Sequence, residues 1–286
     1  MYDGPLPTRP VDLMQRLPGK RALICLLTDP VTADVLDEGA DLEIVANIAV
    51  GYDNIDLAQA KRLGVVVTNT PDVLTEAVAE FTWGLILAAA RRIVEGDRLV
   101  RRGEWKGWAL GFMLGTELRG RQLGIVGRGR IGRAVAARAP AFGMQAVFAA
   151  KPGRAPAAGE LSFDELLISS DVISLHVPQS PSTRHLFSRR TLARMKRTAI
   201  LVNTARGPIV DEEALGWALQ ERLIAAAALD VYEGEPEVHR SLLGMENVVL
   251  APHLGSATRD TRTAMADLAV RNVLAVLDGE PPLTPV

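Results

Sequence analysis

From residue 121 onward, short apolar runs rich in β-branched residues alternate with stretches whose apolar positions recur at helical spacing. RQLGIVG is followed by IGRAVAARAPAF, MQAVFAA, FDELLISS, DVISLHVP, SRRTLARMK and TAILVNTA, and the alternation continues through DEEALGWALQER, IAAAALDVY and NVVLAPH. A strand with one wet face alternates apolar and polar residues, whereas these runs are apolar almost throughout, as strands covered by helices on both faces must be. The rhythm predicts a doubly wound, parallel-sheet α/β domain of the Rossmann kind.

Upstream lie ALICLLT, LEIVANIAV and GVVVTN, too few strands to continue that sheet, and these predict a second, smaller α/β domain. Between the two, residues 75–93 (TEAVAEFTWGLILAAARRI) open on a Thr/Glu capping signal and are apolar nearly all round. That predicts a buried inter-domain helix, with the hinge beside it. The last helical run, roughly residues 256–278, has to return to the first domain, which makes that domain discontinuous. The expected division is 1–73 with 259–286 around a dinucleotide-binding domain at 74–258. No repeat stands out, and the one compositionally biased tract is the loop PGRAPAAGE at 152–160.

Composition narrows the function. The chain has 286 residues, 48% hydrophobic and 23% charged, enough for one large or two modest cores. Thirty-two basic against thirty-four acidic side chains leave a net charge of -2, with no global attraction for nucleic acid or an anionic membrane. A small-molecule partner is expected. Cys25, the single cysteine, can form neither an internal disulfide nor a multi-cysteine metal site, and it reads as a small buried hydrophobe in a reducing compartment. The start, MYDGPLPTRP, has no basic-then-apolar signal pattern, and no run of eighteen apolar residues follows, so a soluble cytoplasmic protein without metal is expected.

Gly127, Gly129 and Gly132 form GRGRIG directly after an apolar strand and at the opening of a helix, the setting a dinucleotide fingerprint needs. One glycine permits the tight turn, one lets the backbone approach a pyrophosphate and one lets helix pack on strand; the intervening Arg128, Arg130 and Ile131 belong to the same loop and helix start. The helix N-terminus adds N–H groups and positive dipole. The acid normally found some twenty residues on, which holds a ribose 2′-hydroxyl, is missing. Ala149 and Ala150 stand there, Lys151 and Arg154 follow, and the first acid is Glu160. Two cations without a carboxylate favour a 2′-phosphate, hence NADP over NAD, although ordinary solvated loop charges with NAD bound would read the same way.

Of four histidines, His176 and His253 fall at the C-terminal ends of predicted strands, where such sheets place ligands, while His185 and His239 do not. His253, followed by a Gly-Ser pair and a helix, is the better acid/base candidate; a structural histidine is the competing reading. Arg206 in NTARGPIVDEEAL ends a strand at the same edge and suits a carboxylate, a cofactor phosphate or a structural turn. Glu233, Glu235 and Glu237 crowd one loop, and spacing does not choose among them.

Taken together, AVGYDNID, TNTPDVLTEAVAE, EWKGW with LGTELRG, IVGRGRIG, LVNTARGPIVDEEAL, ALDVYEGEP and APHLGSAT resemble, in order and over nearly the whole chain, the D-isomer-specific 2-hydroxyacid dehydrogenases, and within them the glyoxylate/hydroxypyruvate reductase branch. The resemblance implies a flavodoxin-like substrate domain, an arginine role at Arg206, a glutamate role at Glu235 and an acid/base role at His253. It implies cofactor contacts at Pro178, Thr204 and Asp230, within a surface that takes in Val177, Thr183, Ala205 and Gly255. A substrate-carboxylate cradle falls on the backbone of Val50 and Gly51, and Leu27 looks onto the substrate. It also implies a homodimer, with Trp105 or Trp108 reaching a partner's pocket; core packing explains tryptophans equally well.

Reduction of a 2-oxo acid leaves negative charge on the carbonyl oxygen, which calls for a proton donor and a fixed cation. The resemblance also implies a departure: the family's strand and helix before MYDGPLP are expected to be missing here, which would leave the small domain's sheet short of a ladder partner. A close alternative is an NAD-dependent 3-phosphoglycerate or phosphite dehydrogenase, against which Lys151 argues. A different class is an inactive dinucleotide-sensing, corepressor-like binding protein, against which the full set Arg206, Glu235 and His253 argues. Formate dehydrogenase relatives carry an amide where this chain has Glu235.

Overall fold

The computed structural model describes residues 8–151 and 154–286. The chain divides into two compact units, one running to Leu74 and resuming over Thr258–Val286, the other Thr75–Ala257. In the first, α1 (Pro10–Arg16), β1 (Ala22–Leu26), α2 (Ala33–Asp37), β2 (Ile44–Ile48), α3 (Leu57–Leu63) and β3 (Val66–Thr68) precede the unit's break. The three strands form a parallel sheet in the order β1-β2-β3. One face packs Cys25, Val45 and Val67 against Leu13, Val35 and Leu36, and the other packs Ile44 and Ala46 against Ala269 of the final helix. The strand and helix expected to be missing would fall at or before residues 1–7, which lie outside the described residues.

In the second unit come α4 (Thr75–Ala90), α5 (Ile93–Arg101), β4 (Gln122–Val126), α6 (Arg130–Arg138), β5 (Gln145–Ala149), β6 (Glu160–Leu161), α7 (Phe163–Ser169), β7 (Val172–Leu175), α8 (Arg189–Leu192), β8 (Ile200–Asn203), α9 (Glu212–Gln220), β9 (Ala226–Leu229), α10 (Arg240–Leu243) and β10 (Val248–Leu250). The chain then returns to the first unit through α11 (Arg259–Leu277). The seven strands are all parallel in the order β10-β9-β8-β7-β4-β5-β6, the doubly wound arrangement expected, with its order reversing between β4 and β7.

The apolar strands divide their side chains between two buried layers. Ile173, Leu175, Leu201, Ala227 and Leu229 face one, beside Phe187, Leu192 and Leu215, while Leu123, Ile125, Val172, Ile200 and Val202 face the other, beside Trp83, Ile86 and Val135. This two-sided burial is why period-two alternation is absent from the sequence. The buried helix α4 ends at Ala90 rather than reaching residue 93, because Arg92 takes a left-handed backbone, φ +54°, and starts a new, largely exposed helix. Only four residues of SRRTLARMK are α-helical, and a two-residue strand, Glu160–Leu161, adds an edge that no periodic pattern of that length could announce.

Candidate active site

The C-terminal ends of the seven strands carry the candidate residues of this unit. After β4, Gly127 adopts φ +112°, and a Cβ there would lie 2.3 Å from the carbonyl oxygen of His176, so no other residue fits the turn. At Gly132 an added Cβ would meet the Gly127 carbonyl, whereas at Gly129 it would point into open space. Close packing on one side of the loop and clearance on the other suit a bound pyrophosphate. The first turn of α6 holds no acid to neutralise the helix dipole.

Strand β5 ends at Ala149, Ala150 is buried and Lys151 is exposed. Arg154 does not stand alone. It pairs with Glu160, which also takes Arg128 at 3.1 Å, and the Arg128 guanidinium lies over the Phe148 ring. The Ala157 N–H and then the two arginines hold the Glu160 carboxyl below the ordinary carboxylate range, against its partial desolvation. Further along, Thr183 closes the loop after Val177 and Pro178 by donating to the Pro178 carbonyl (2.8 Å). Thr204, at the end of β8, shares a 3.0 Å hydrogen bond with Thr82 of α4. Asp230 ends β9 and accepts the N–H groups of Leu254 (2.6 Å) and Gly255 (2.8 Å); burial nevertheless pushes its carboxyl upward.

His253 follows β10, and its Nδ1 lies 2.9 Å from Oε2 of Glu235, in the loop after β9. Oε1 of Glu235 accepts the Tyr232 N–H at 3.0 Å. Burial pushes the Glu235 carboxyl up, but the hydrogen bond and charge of His253, the Tyr232 N–H and the Arg206 guanidinium outweigh it and hold the group below its ordinary value. It is therefore an anion aimed at an imidazole. Both side chains stay about 29% exposed, so the ring can exchange a proton. Arg206 follows β8, in a turn fixed by wholly buried Asn203, whose side chain accepts the Ala205 N–H (3.0 Å) and donates to the Arg206 carbonyl (2.9 Å). Strands β8, β9 and β10 are neighbours, so three residues distant in sequence meet at one sheet edge.

The other acids and histidines take different places. Glu233 pairs with Arg184 (2.9 Å) and His185 (2.6 Å), while the Glu237 N–H donates to the Gly234 carbonyl. His176 hydrogen-bonds Ser174 (2.8 Å), and desolvation pushes its imidazole down to about 3, which leaves it neutral at working pH and removes it as an acid/base.

A family model for the D-isomer specific 2-hydroxyacid dehydrogenase NAD-binding domain matches residues 83–255. A glyoxylate reductase of Aeropyrum pernix is 53% identical over 271 residues, 91% of this chain and 81% of that one. The chain belongs to this family. Among solved structures, the dehydrogenase is similar to the TT0316 protein of Thermus thermophilus (TM-score 0.92, 47% identity, covering 96% of this chain and 89% of that one). It is also similar to the NADPH-dependent glyoxylate/hydroxypyruvate reductase of Sinorhizobium meliloti in complex with NADP and malonate (TM-score 0.83, 39% identity, covering 93% and 82%).

In the dehydrogenase's smaller unit, Leu27 follows β1 directly, and Val50 and Gly51 follow β2, all half-buried at the C-terminal ends of their strands. The carbonyls of Val50 and Gly51 accept the side-chain amides of Asn69 (2.8 Å) and Asn47 (2.9 Å). Core packing does not account for the two tryptophans: Trp105 is 54% and Trp108 82% exposed, because the segment that carries them leaves the sheet layers after α5. Sequence reading passed over Gly207, Glu212 and Tyr232, which shape the Glu235 loop. The signal available was an acid next to a helix cap in VDEEAL, a position whose burial only the fold reveals.

Proposed function

We propose that this dehydrogenase interconverts a short 2-oxo acid, glyoxylate or hydroxypyruvate, and the corresponding 2-hydroxy acid, with NADP(H) preferred to NAD(H). The pairing of His253 with ionised Glu235 beside Arg206 carries this reading, and the names of the similar reductases support its substrate class. The bound nicotinamide supplies or accepts the hydride. His253 gives the carbonyl oxygen its proton during reduction and takes it back during oxidation. Glu235, held as an anion against Nδ1, fixes the orientation of the ring. Arg206 holds the substrate carboxylate and the polarised carbonyl, which stops the acid from rotating out of line.

The GRGRIG loop and the start of α6 would hold the pyrophosphate, with Val177, Pro178, Thr183, Thr204, Ala205, Asp230 and Gly255 along the rest of the dinucleotide. Lys151, Arg154 and Arg128 would take the 2′-phosphate, the first two following Ala149 and Ala150, which stand where an NAD-selective site needs an acid. The chain acts as a homodimer through the exposed apolar segment around Trp108. A reducing cytoplasm fits Cys25, whose thiol burial pushes up to about 12, too high for ready reaction. No helix among the described residues is long and apolar enough to cross a membrane.

Initial rates with NADPH and NADH against a panel of 2-oxo acids test the reading. Faster turnover of glyoxylate or hydroxypyruvate with NADPH is expected. Faster rates with NADH return the cofactor to NAD, and negligible turnover of every acid favours a dinucleotide-sensing protein.

A further inference from the structure

The loop that carries Glu235 is held at both ends by one buried side chain. Glu212, the first residue of α9, is 4% exposed. One of its carboxylate oxygens accepts the N–H of Glu233 (2.5 Å) and the other the N–H of His239 (2.9 Å). Two points on either side of Glu235 are thus fixed to a single helix terminus. The α9 dipole and two charge-assisted hydrogen bonds offset the cost of burying the carboxylate there.

Immediately before the stapled segment, the Tyr232 N–H reaches Glu235 Oε1, and the Tyr232 hydroxyl donates to the carbonyl of Ala251 (2.8 Å), two residues before His253. Both neighbours of the imidazole therefore hang on the same loop. The Glu212 carboxylate bonds the backbone of this loop rather than the side chains of Glu235 or His253, so its influence on them passes through the backbone.

We propose that Glu212 is a positioning residue: by pinning Glu233 and His239 it sets the Glu235 carboxylate against His253 Nδ1. This rests on the acid/base reading above, and it names a further residue on which that reading depends. The competing role is purely structural, a buried acid that stabilises the fold without affecting the pair.

The test uses Glu212→Gln, Glu235→Gln and the double variant in the full chain. Glutamine has one acceptor oxygen, so one loop N–H loses its partner and the loop shifts. Glu212→Gln is expected to lower kcat by about tenfold to a hundredfold, as small misplacements of reacting groups do, with Kd for NADPH unchanged. In the Glu235→Gln background the same change is expected to cost almost nothing, because the residue acts through a group already removed. Full multiplicative loss in the double variant overturns the proposal.

A second readout needs no turnover. In protein with ¹⁵N-labelled histidine, the hydrogen-bonded Nδ1 proton of His253 should give a downfield resonance that disappears in Glu235→Gln and weakens or moves upfield in Glu212→Gln. An unchanged resonance in folded Glu212→Gln overturns the proposal even if no 2-oxo acid is ever reduced, whereas a displaced resonance in an inactive chain supports it and counts only against the reaction assigned above. Should Glu212→Gln not fold, Glu212→Asp keeps the charge but shortens the reach; the same displacement is expected there, and its absence is equally decisive.

Discussion

His253 adopts φ +53°, a region that costs a non-glycine residue roughly 1–3 kcal/mol, and its N–H donates to the Asp230 carbonyl at 2.9 Å. A strained backbone held by its neighbours at a strand end presents the ring in one orientation. His253→Ala should therefore cut turnover by roughly two to four orders of magnitude, the range for a positioned acid/base. Unchanged NADPH oxidation with glyoxylate refutes that assignment. Arg206→Ala should raise KM for the 2-oxo acid and lower kcat together if, as proposed, the guanidinium both binds and aligns; a change confined to cofactor affinity makes it a phosphate ligand instead. His176 gives a pH signature. Its folded-state value of about 3 lies below the ordinary 6.5, so the unfolded chain binds the extra proton between them and native stability falls as pH drops below about 6.5. Urea unfolding at pH 7 and pH 5 should show the wild type losing stability relative to His176→Gln, by at most about 1.4 kcal/mol per pH unit. An identical difference at both pH values argues against a half-buried ring kept neutral by the fold. At this scale the sequence shows which histidines end strands, but not which loses part of its hydration, because desolvation depends on the packing of Ser174 and the layers around it.

At the scale of elements, the turn after β8 and the loop after β9 are packed backbone to backbone. A Cβ on Gly207 would fall 1.8 Å from the carbonyl carbon of Tyr232 and 2.4 Å from the nitrogen of Glu233, so the Arg206 turn and the Glu235 loop have one mutual arrangement. Gly207→Ala should push that peptide away, destabilising the domain by roughly 1–3 kcal/mol as overpacking does, and lowering kcat more than it alters the dinucleotide Kd. Thermal unfolding with a kcat and Kd comparison checks this; a variant with native kcat removes the proposed coupling. The strands and long helices of this unit were legible because burial on both faces forces nearly continuous apolar runs, as in ILVN and AAAL. The GRGRIG turn was legible because glycine alone tolerates its φ. The contacts of Gly207 and Glu212 were not, since ARGPIVDEE does not say which backbone will lie over it; that is settled by the order of β8 and β9 in the sheet. Arg154 illustrates the same limit, its pairing with Glu160 depending on the short edge strand β6.

For the whole molecule, the segment after α5 presents Trp105, Trp108, Leu110, Phe112 and Leu114 to solvent, with Trp108 82% and Leu110 84% exposed. A monomeric protein rarely leaves so many large apolar side chains together in water, and aromatic anchors of this kind dominate the energetics of subunit contacts. At a net charge of -2 the chain has little like-charge repulsion to keep copies apart. A dimer built on this segment binds the native chain and not the unfolded one, so its Tm must rise with protein concentration by mass action. Sedimentation equilibrium at micromolar concentration should give twice the chain mass, and Trp108→Glu should shift the equilibrium toward monomer and flatten the dependence of Tm on concentration, because a carboxylate would have to be desolvated in the interface. The histidine and arginine assignments predict no such change, so the variant separates assembly from chemistry. A wild-type chain that sediments as a monomer, with a Tm independent of concentration, leaves these side chains needing a different partner.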